Sequence, residues 1–276
     1  MTFEDLLPIL MPGTFVGFLI LERVFPAREQ LWVRFWLVKG LLFFVVVAAI
    51  NAIIPALVMT KIGDQSLLHL RWLGTLGGAA LMVVVSDFMG YWIHRGLHTF
   101  EPVWRWTHQL HHSAERMDMA GAAYFHPLDV LCQQVIPGIA VVVLLGVTPM
   151  AAAFGGFVGF VLGVSPHLNL RTPAWLGYVI QRPEMHAVHH QRGVHAYNYG
   201  VLAWSDLVFG TWRNPADFPD GDFGFWDGAS CRLGSLLTAR NISEPSLSMR
   251  ENDGLRADRR TPGVDREPQR ALTKAR

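Results

Sequence analysis

Three short stretches of the chain concentrate histidine. "WIHRGLHT" sets His94 and His98 four residues apart, "RWTHQLHHS" holds His108, His111 and His112, and "EMHAVHHQR" repeats that spacing with His186, His189 and His190. Residues at i, i+3 and i+4 share a helix face, so each stretch, wound as a helix, aims two or three imidazoles the same way. Imidazole suits Zn, Cu, Fe and Ni. One four-coordinate zinc ion needs only four ligands, so eight clustered imidazoles point to two metal ions. A single histidine is usually packed or solvated, but one helical spacing repeated across the clusters is no accident of composition. His126 in "YFHPLD" and His167 in "SPHLNL" flank the same region and join the eight as ligand candidates, whereas nothing places His195 at ligand spacing.

Two carboxylates accompany the clusters. Asp87 continues the stripe that runs back from His94 through Tyr91. It is positioned to accept the second ring N–H of a ligand histidine and fix its tautomer; pairing with Arg95 or Tyr91 is the competing account. Glu184, just before His186, fits a similar role, and it is the obvious general base if the metals serve hydrolysis.

The elements that must position these residues are apolar. Of 276 residues, 51% are hydrophobic and 16% charged, against about 25% charged in a soluble domain. The net charge of +1 argues against a nucleic-acid partner. Cys132 and Cys231 lie far apart without a C-x-x-C, so thiolate metal binding is not indicated. A membrane helix needs roughly 20 mostly apolar residues, and runs over 6–25, 35–59 and 70–93 qualify. The first lacks a basic start and a small-residue cleavage site and reads as an anchor. Runs over 128–147 and 150–164 form a hairpin about "GVTP"; it is short and contains Pro137, so a shallow or re-entrant hairpin is the alternative to two full spans. Gly155, Gly159 and Gly163 make a small-residue ridge for helix packing. The predicted fold is an all-α integral membrane bundle of four to five helices with a histidine-rich helical cap. Residues 1–240 form the membrane domain, and the polar segment 241–276 is expected to be disordered.

Loop charge gives the orientation. Arg23, Arg28 and Arg34 follow the first helix, and Arg95, Arg105 and Arg116 follow the third. Glu4 and Asp5 precede the first, and only Lys61 and Arg71 lie between the second and third. The N-terminus is therefore expected outside, the three clusters in the cytoplasm and His69 on the far side.

"HRGLH", "HQLHH" and "HAVHH" resemble the histidine boxes of the fatty acid hydroxylase/sterol desaturase superfamily of integral-membrane di-iron oxygenases. "SDFMGYWIHRGLH", the "FHP" after the second box, and "NYG" followed by "SDLVFGT" are similar to family segments, so the likeness covers about residues 87–211. It implies two iron ions, O2 as co-substrate and two electrons, used to hydroxylate or desaturate a lipid: a fatty acyl chain, a sterol-like molecule or an amino-lipid. Some hydroxylases of the superfamily carry a further H-x3-H or H-x4-H pair, where this chain has only the isolated His126 and His167. With no fused haem domain in view, electrons are expected from a separate ferredoxin or cytochrome with its reductase. The compact form and the absence of an endoplasmic-reticulum retrieval signal fit a bacterial inner membrane. The rival readings are a zinc-dependent membrane hydrolase, which would rest on Glu184, and a membrane metal transporter, which would need polar residues along a path that the first two helices do not offer.

Overall fold

The computed structural model describes residues 3–244. Helices α1 (Phe3–Val24), α2 (Trp36–Ile62) and α3 (Gly74–Thr99) come first. Short helices α4 (Glu101–Trp106) and α5 (Gln109–His112) follow. Helix α6 (Pro127–Val130) continues through a five-residue π turn, Leu131–Val135, into α7 (Ile136–Leu145). Then come α8 (Pro149–Val164), α9 (Pro183–His190), α10 (Ala203–Phe209) and α11 (Leu233–Leu237). Among the described residues β-structure amounts to two isolated bridges, Ile180 with Leu202 and Gln191 with Phe223.

Five helical stretches are long and apolar enough to cross a membrane, and the hairpin supplies two of them: Pro127–Leu145 and Pro149–His167, each of 19 residues. At a rise of 1.5 Å per residue each arm reaches about 29 Å, close to the roughly 30 Å of a hydrocarbon core. Pro137 does not shorten its arm. The π turn lies immediately before it, where an unbroken α-helix would set the proline ring against a carbonyl. Thr148 starts the second arm by accepting the backbone N–H of Ala151 at 3.2 Å. Outward-facing residues such as Ile9, Leu42, Val45 and Leu57 are exposed. An apolar belt of that extent needs lipid around it.

Helices α3 and α8 approach closely because small residues meet. A Cβ on Gly78 would press on Ala151 and Val147, and one on Gly155 on Ala79 and Met82. The predicted glycine ridge is used only there. At Gly159 and Gly163 no neighbour lies within 4 Å of an added Cβ, as expected when two inclined helices touch and then diverge.

The polar segments gather at one end of the bundle. Buried Glu22, near the end of α1, accepts the backbone N–H groups of Met119 and Asn169 at 2.9 and 3.2 Å. Trp36, opening α2, donates its indole N–H to Asp118 at 2.8 Å. Gly40 lets α2 approach the backbone of Ala120, where any side chain would collide. His69 lies at the other end of α3, bonded to Ser66 at 2.9 Å beside the Gly146 turn. The compact unit runs on to Ser243: Gln109 pairs with the backbone of Arg240 and Ile242, three residues beyond the expected boundary at 240. The rest of the predicted tail, 245–276, lies outside the described residues.

Candidate metal centre

The three histidine clusters interleave. On α5 and the residue before it, His108 and His112 are one turn apart and face one way, while His111 is turned to another side of the helix. On α9, His186 and His190 are one turn apart and His189 is turned away. Two groups result: His94, His98, His108, His112 and His189, and His111, His167, His186 and His190. Within each group one nitrogen per ring lies within 4.8 Å of all the others.

Tautomers show what the first group is built for. His94 Nδ1 lies 2.9 Å from the carbonyl oxygen of Tyr199, and His189 Nδ1 2.7 Å from that of Tyr197. A carbonyl only accepts, so both Nδ1 atoms carry the proton. His108 Nδ1 lies 2.7 Å from the carboxylate of Asp129, with both side chains buried. A carboxylate accepts as well, so the same assignment holds. A neutral imidazole has one N–H, which leaves three Nε2 lone pairs pointing inwards. In the neutral form, the one that binds metal, His94 Nε2 and His108 Nε2 stand 2.9 Å apart with neither carrying the proton. The Nε2 atoms of His98, His112 and His189 are buried without a partner. Converging lone pairs repel unless a cation sits among them. A metal with Nε2 ligands at about 2.0–2.1 Å puts cis ligands about 2.9–3.4 Å apart, and the 2.9 Å between His94 Nε2 and His108 Nε2 fits two ligands of one ion.

The second group repeats the spacing. His167 Nε2 lies 3.1 Å from both His111 Nε2 and His186 Nε2, and His190 Nε2 lies 3.1 Å from His186 Nε2. His167 reaches it from a short 3-10 turn, Ser165–His167, at the end of the α8 arm. His112 and His190 stack at 4.1 Å and join the two groups. Phe125 stacks on His111 at 4.1 Å, and Trp104 packs on His98 and His112 at 4.8 and 5.1 Å, so apolar rings wall both groups. Burial, and after it repulsion from neighbouring imidazoles, holds His111, His112, His186, His189 and His190 well below the ordinary histidine range. They are therefore neutral, the form that binds metal.

One segment orients much of the first group. Tyr197 and Tyr199 supply carbonyls to His189 and His94, and His195 Nδ1 sits 2.9 Å from His112 Nδ1. His195, Tyr197 and Asn198 all take positive φ, a conformation that costs energy and persists only when the surroundings impose it. The imposing groups are visible. Asn198 bonds the backbone of Met185 and Arg213, and Gln181 bonds the Asn198 carbonyl. Asp206 accepts from Tyr199 and Gly200, each at 2.9 Å.

Several predicted site residues lie elsewhere. Asp87 does not orient His94, whose Nδ1 is taken by Tyr199. It accepts the backbone N–H groups of Val201 and Leu202 at 2.8 and 2.9 Å and so holds the orienting segment instead. Glu184 faces away from both groups. Its oxygens accept from the Thr172 backbone and hydroxyl at 2.7 and 2.8 Å, beside Arg182 at 3.2 Å. His126 joins neither group, because its Nδ1 accepts the Leu128 N–H at 3.1 Å and caps α6. Sequence reasoning missed Asp129, although it stands in the same "YFHPLD" as His126. A carboxylate one turn into a helix that opens beside the second box was the available signal. Gln133, from the π turn, braces that carboxylate at 2.7 Å. The carbonyl partners have no side-chain signature at all.

The class is thus an all-helical membrane protein whose polar end gathers nine imidazoles into two groups, each able to hold a metal ion. Residues 79–211, which contain all nine, match the fatty acid hydroxylase family model, and this stretch of the chain belongs to the fatty acid hydroxylase/sterol desaturase superfamily. It is 27% identical over 150 residues to a Delta(7)-sterol-C5(6)-desaturase of Nicotiana tabacum, covering 53% of each chain. It is 30% identical over 137 residues to a very-long-chain aldehyde decarbonylase of Oryza sativa subsp. indica, covering 47% of this chain and 52% of the relative. Likeness to sphinganine C4-monooxygenase 2 of Arabidopsis thaliana is 28% over 137 residues, covering 48% and 52%. The chain therefore spans about half the length of these relatives. No solved structure matches it.

Proposed function

We propose that the chain is a membrane di-iron oxygenase that hydroxylates or desaturates a lipid. The observation that carries this reading is the inward aim of the lone pairs: nine imidazoles in two groups, at one end of an apolar bundle, within the stretch that matches fatty acid hydroxylase. His94, His98, His108, His112 and His189 would hold one iron, and His111, His167, His186 and His190 the other. Iron held there would supply the activation of O2 needed to attack an unreactive C–H bond.

The chain's own residues do the rest. Asp129, Tyr197 and Tyr199 hold three ligand tautomers. Phe125 and Trp104 keep water from the ligand rings. The exposed apolar helix faces keep a lipid chain within reach of the cap. Hydroxylation consumes the substrate C–H, O2, two electrons and two protons, and yields an alcohol and water. Desaturation consumes two C–H hydrogens with the same reagents and yields an alkene and two waters. The electrons come from a separate ferredoxin or cytochrome with its reductase. Relatives named for sterol desaturation and sphinganine hydroxylation support a lipid substrate; fatty acyl, sterol-like and amino-lipid chemistries are the classes to test. The arginines at the histidine end support a site that faces the cytoplasm.

A zinc hydrolase fits less well. Glu184 is engaged by Thr172 and Arg182, and neither imidazole group contains a carboxylate among the described residues. The test is comparative lipidomics of a deletion strain and its complemented parent, with iron measured per purified chain. The expected result is about two irons per chain and a lipid that gains one oxygen or loses two hydrogens only when O2 and a reductant are present. Turnover without O2 overturns the reading.

A further inference from the structure

We propose that His195 is a positioning residue: it accepts the Nδ1–H of His112 and so keeps the His112 Nε2 lone pair aimed into the first imidazole group. The inference rests on the dimetal reading above and adds to it a tenth histidine that lies outside both ligand sets.

The geometry is specific. The two Nδ1 atoms are 2.9 Å apart, so one must donate and the other accept. His112 Nε2 is buried, has no partner and belongs to the five-imidazole group. If Nε2 carries the lone pair, Nδ1 carries the proton, and His195 Nδ1 is the acceptor, with the His195 proton on its own Nε2. Three other ligands of that group are held in the same way, by the Tyr199 carbonyl, the Tyr197 carbonyl and the Asp129 carboxylate. His112 alone among these four relies on an imidazole. The ring is fixed for the task. It packs edge-on against Phe225 at 5.3 Å and lies 5.9 Å from Trp104. Its backbone takes φ +42, which brings the side chain to His112 from the same turn that presents the Tyr197 and Tyr199 carbonyls. Residues 195–199 thus act as one clip on three ligands, two through carbonyls and one through a side chain. Only the side-chain contact can be removed by substitution without touching the backbone partners.

The test uses the full chain in lipid nanodiscs, loaded anaerobically with Fe(II) and, in parallel, with Co(II) as a spectroscopic probe. Metal per chain is titrated against a competing chelator for the parent, His195→Ala, His195→Gly and His195→Asn. Loss of an outer partner weakens metal binding by about 10–100-fold. His195→Ala should show a loss of that size in one of the two metals, with a changed Co(II) ligand-field spectrum. His195→Gly, which the positive φ favours, should show the same loss, and this separates the side chain from backbone strain. His195→Asn tolerates the same backbone and offers an amide oxygen as acceptor, so it should recover most of the affinity and the parent spectrum. Parent-like affinity in His195→Gly, or a loss in His195→Asn equal to that in His195→Ala, overturns the proposal while leaving the dimetal reading intact. A parent chain that binds neither metal overturns the dimetal reading, and the proposal with it.

Discussion

Asp129 Oδ2 lies 2.7 Å from His108 Nδ1, and neither side chain is open to solvent. The pair links the start of the fourth membrane-length stretch to the second histidine cluster. It leaves His108 Nε2 as a lone pair 2.9 Å from His94 Nε2. Asp129→Asn keeps the shape but allows the amide to donate to Nδ1, which favours the wrong His108 tautomer. Metal affinity should fall by about 10–100-fold, with membrane insertion unchanged. Chelator competition on the purified variant measures it, and parent-like affinity would show that Asp129 does not set the tautomer.

His126 and His167 separate the two kinds of histidine that flank the boxes. His167→Ala removes a member of the second group, and iron per chain should drop from about two towards one. His126→Ala removes a helix cap instead. It should cost about 1 kcal/mol of stability and leave the iron count as in the parent. Elemental analysis beside thermal unfolding distinguishes the two, and equal metal loss in both variants would reject the assignment.

Asp87 acts through the backbone it holds. Asp87→Ala leaves the N–H groups of Val201 and Leu202 unpaired, at about 1–3 kcal/mol for each buried group. Stability should fall by several kcal/mol, and metal affinity with it, because the same segment carries Tyr197 and Tyr199. Asp87→Asn still offers an acceptor oxygen and should be much milder. Unfolding midpoints of the two variants, with His69→Ala as a parent-like control, decide this.

Acid should weaken the fold and the metal together. In the folded chain, burial first and neighbouring imidazoles second hold His111, His112, His186, His189 and His190 well below 6.5. The unfolded chain takes up protons on them as pH falls through about 6.5. Below that pH the unfolded state binds more protons than the folded state, so stability declines as pH falls and is unaffected well above it. Ligands must also be deprotonated to hold metal, so metal loss runs the same way. Thermal unfolding and retained iron measured from pH 8 to pH 5 should both decline in the acid half of the range; a flat profile would contradict the burial of neutral imidazoles.

A cytoplasmically active reporter fused after Ser243 should work, because the arginine-rich loops and the histidine groups share one end of the bundle. A fusion active only on the outer side would reverse the proposed orientation.

Much of the molecule was legible in the sequence. Apolar runs near the bilayer's thickness can only span as closed helices, since lipid offers backbone groups no partner, so the helices followed from composition and length. The i, i+3, i+4 spacing likewise announced imidazoles on shared faces. The spacing could not say that His111 parts from His108 and His112 to join His167, His186 and His190, because helical phase fixes a direction and not what it meets. Nor could it choose His167 over His126. Both are isolated histidines beside a proline, and only the arrival of the Ser165–His167 turn against α9 separates a member of the imidazole group from a helix cap. Asp87 and Glu184 were singled out for being charged and near the boxes, yet each is spent on backbone that only the fold brings to it. The partners that set the tautomers of His94 and His189 are carbonyls, which every residue has. The sequence determined which atoms were available to bind metal; tertiary structure decided which lone pairs point inwards, because a ring nitrogen's proton is placed by whatever acceptor the folded chain sets beside it.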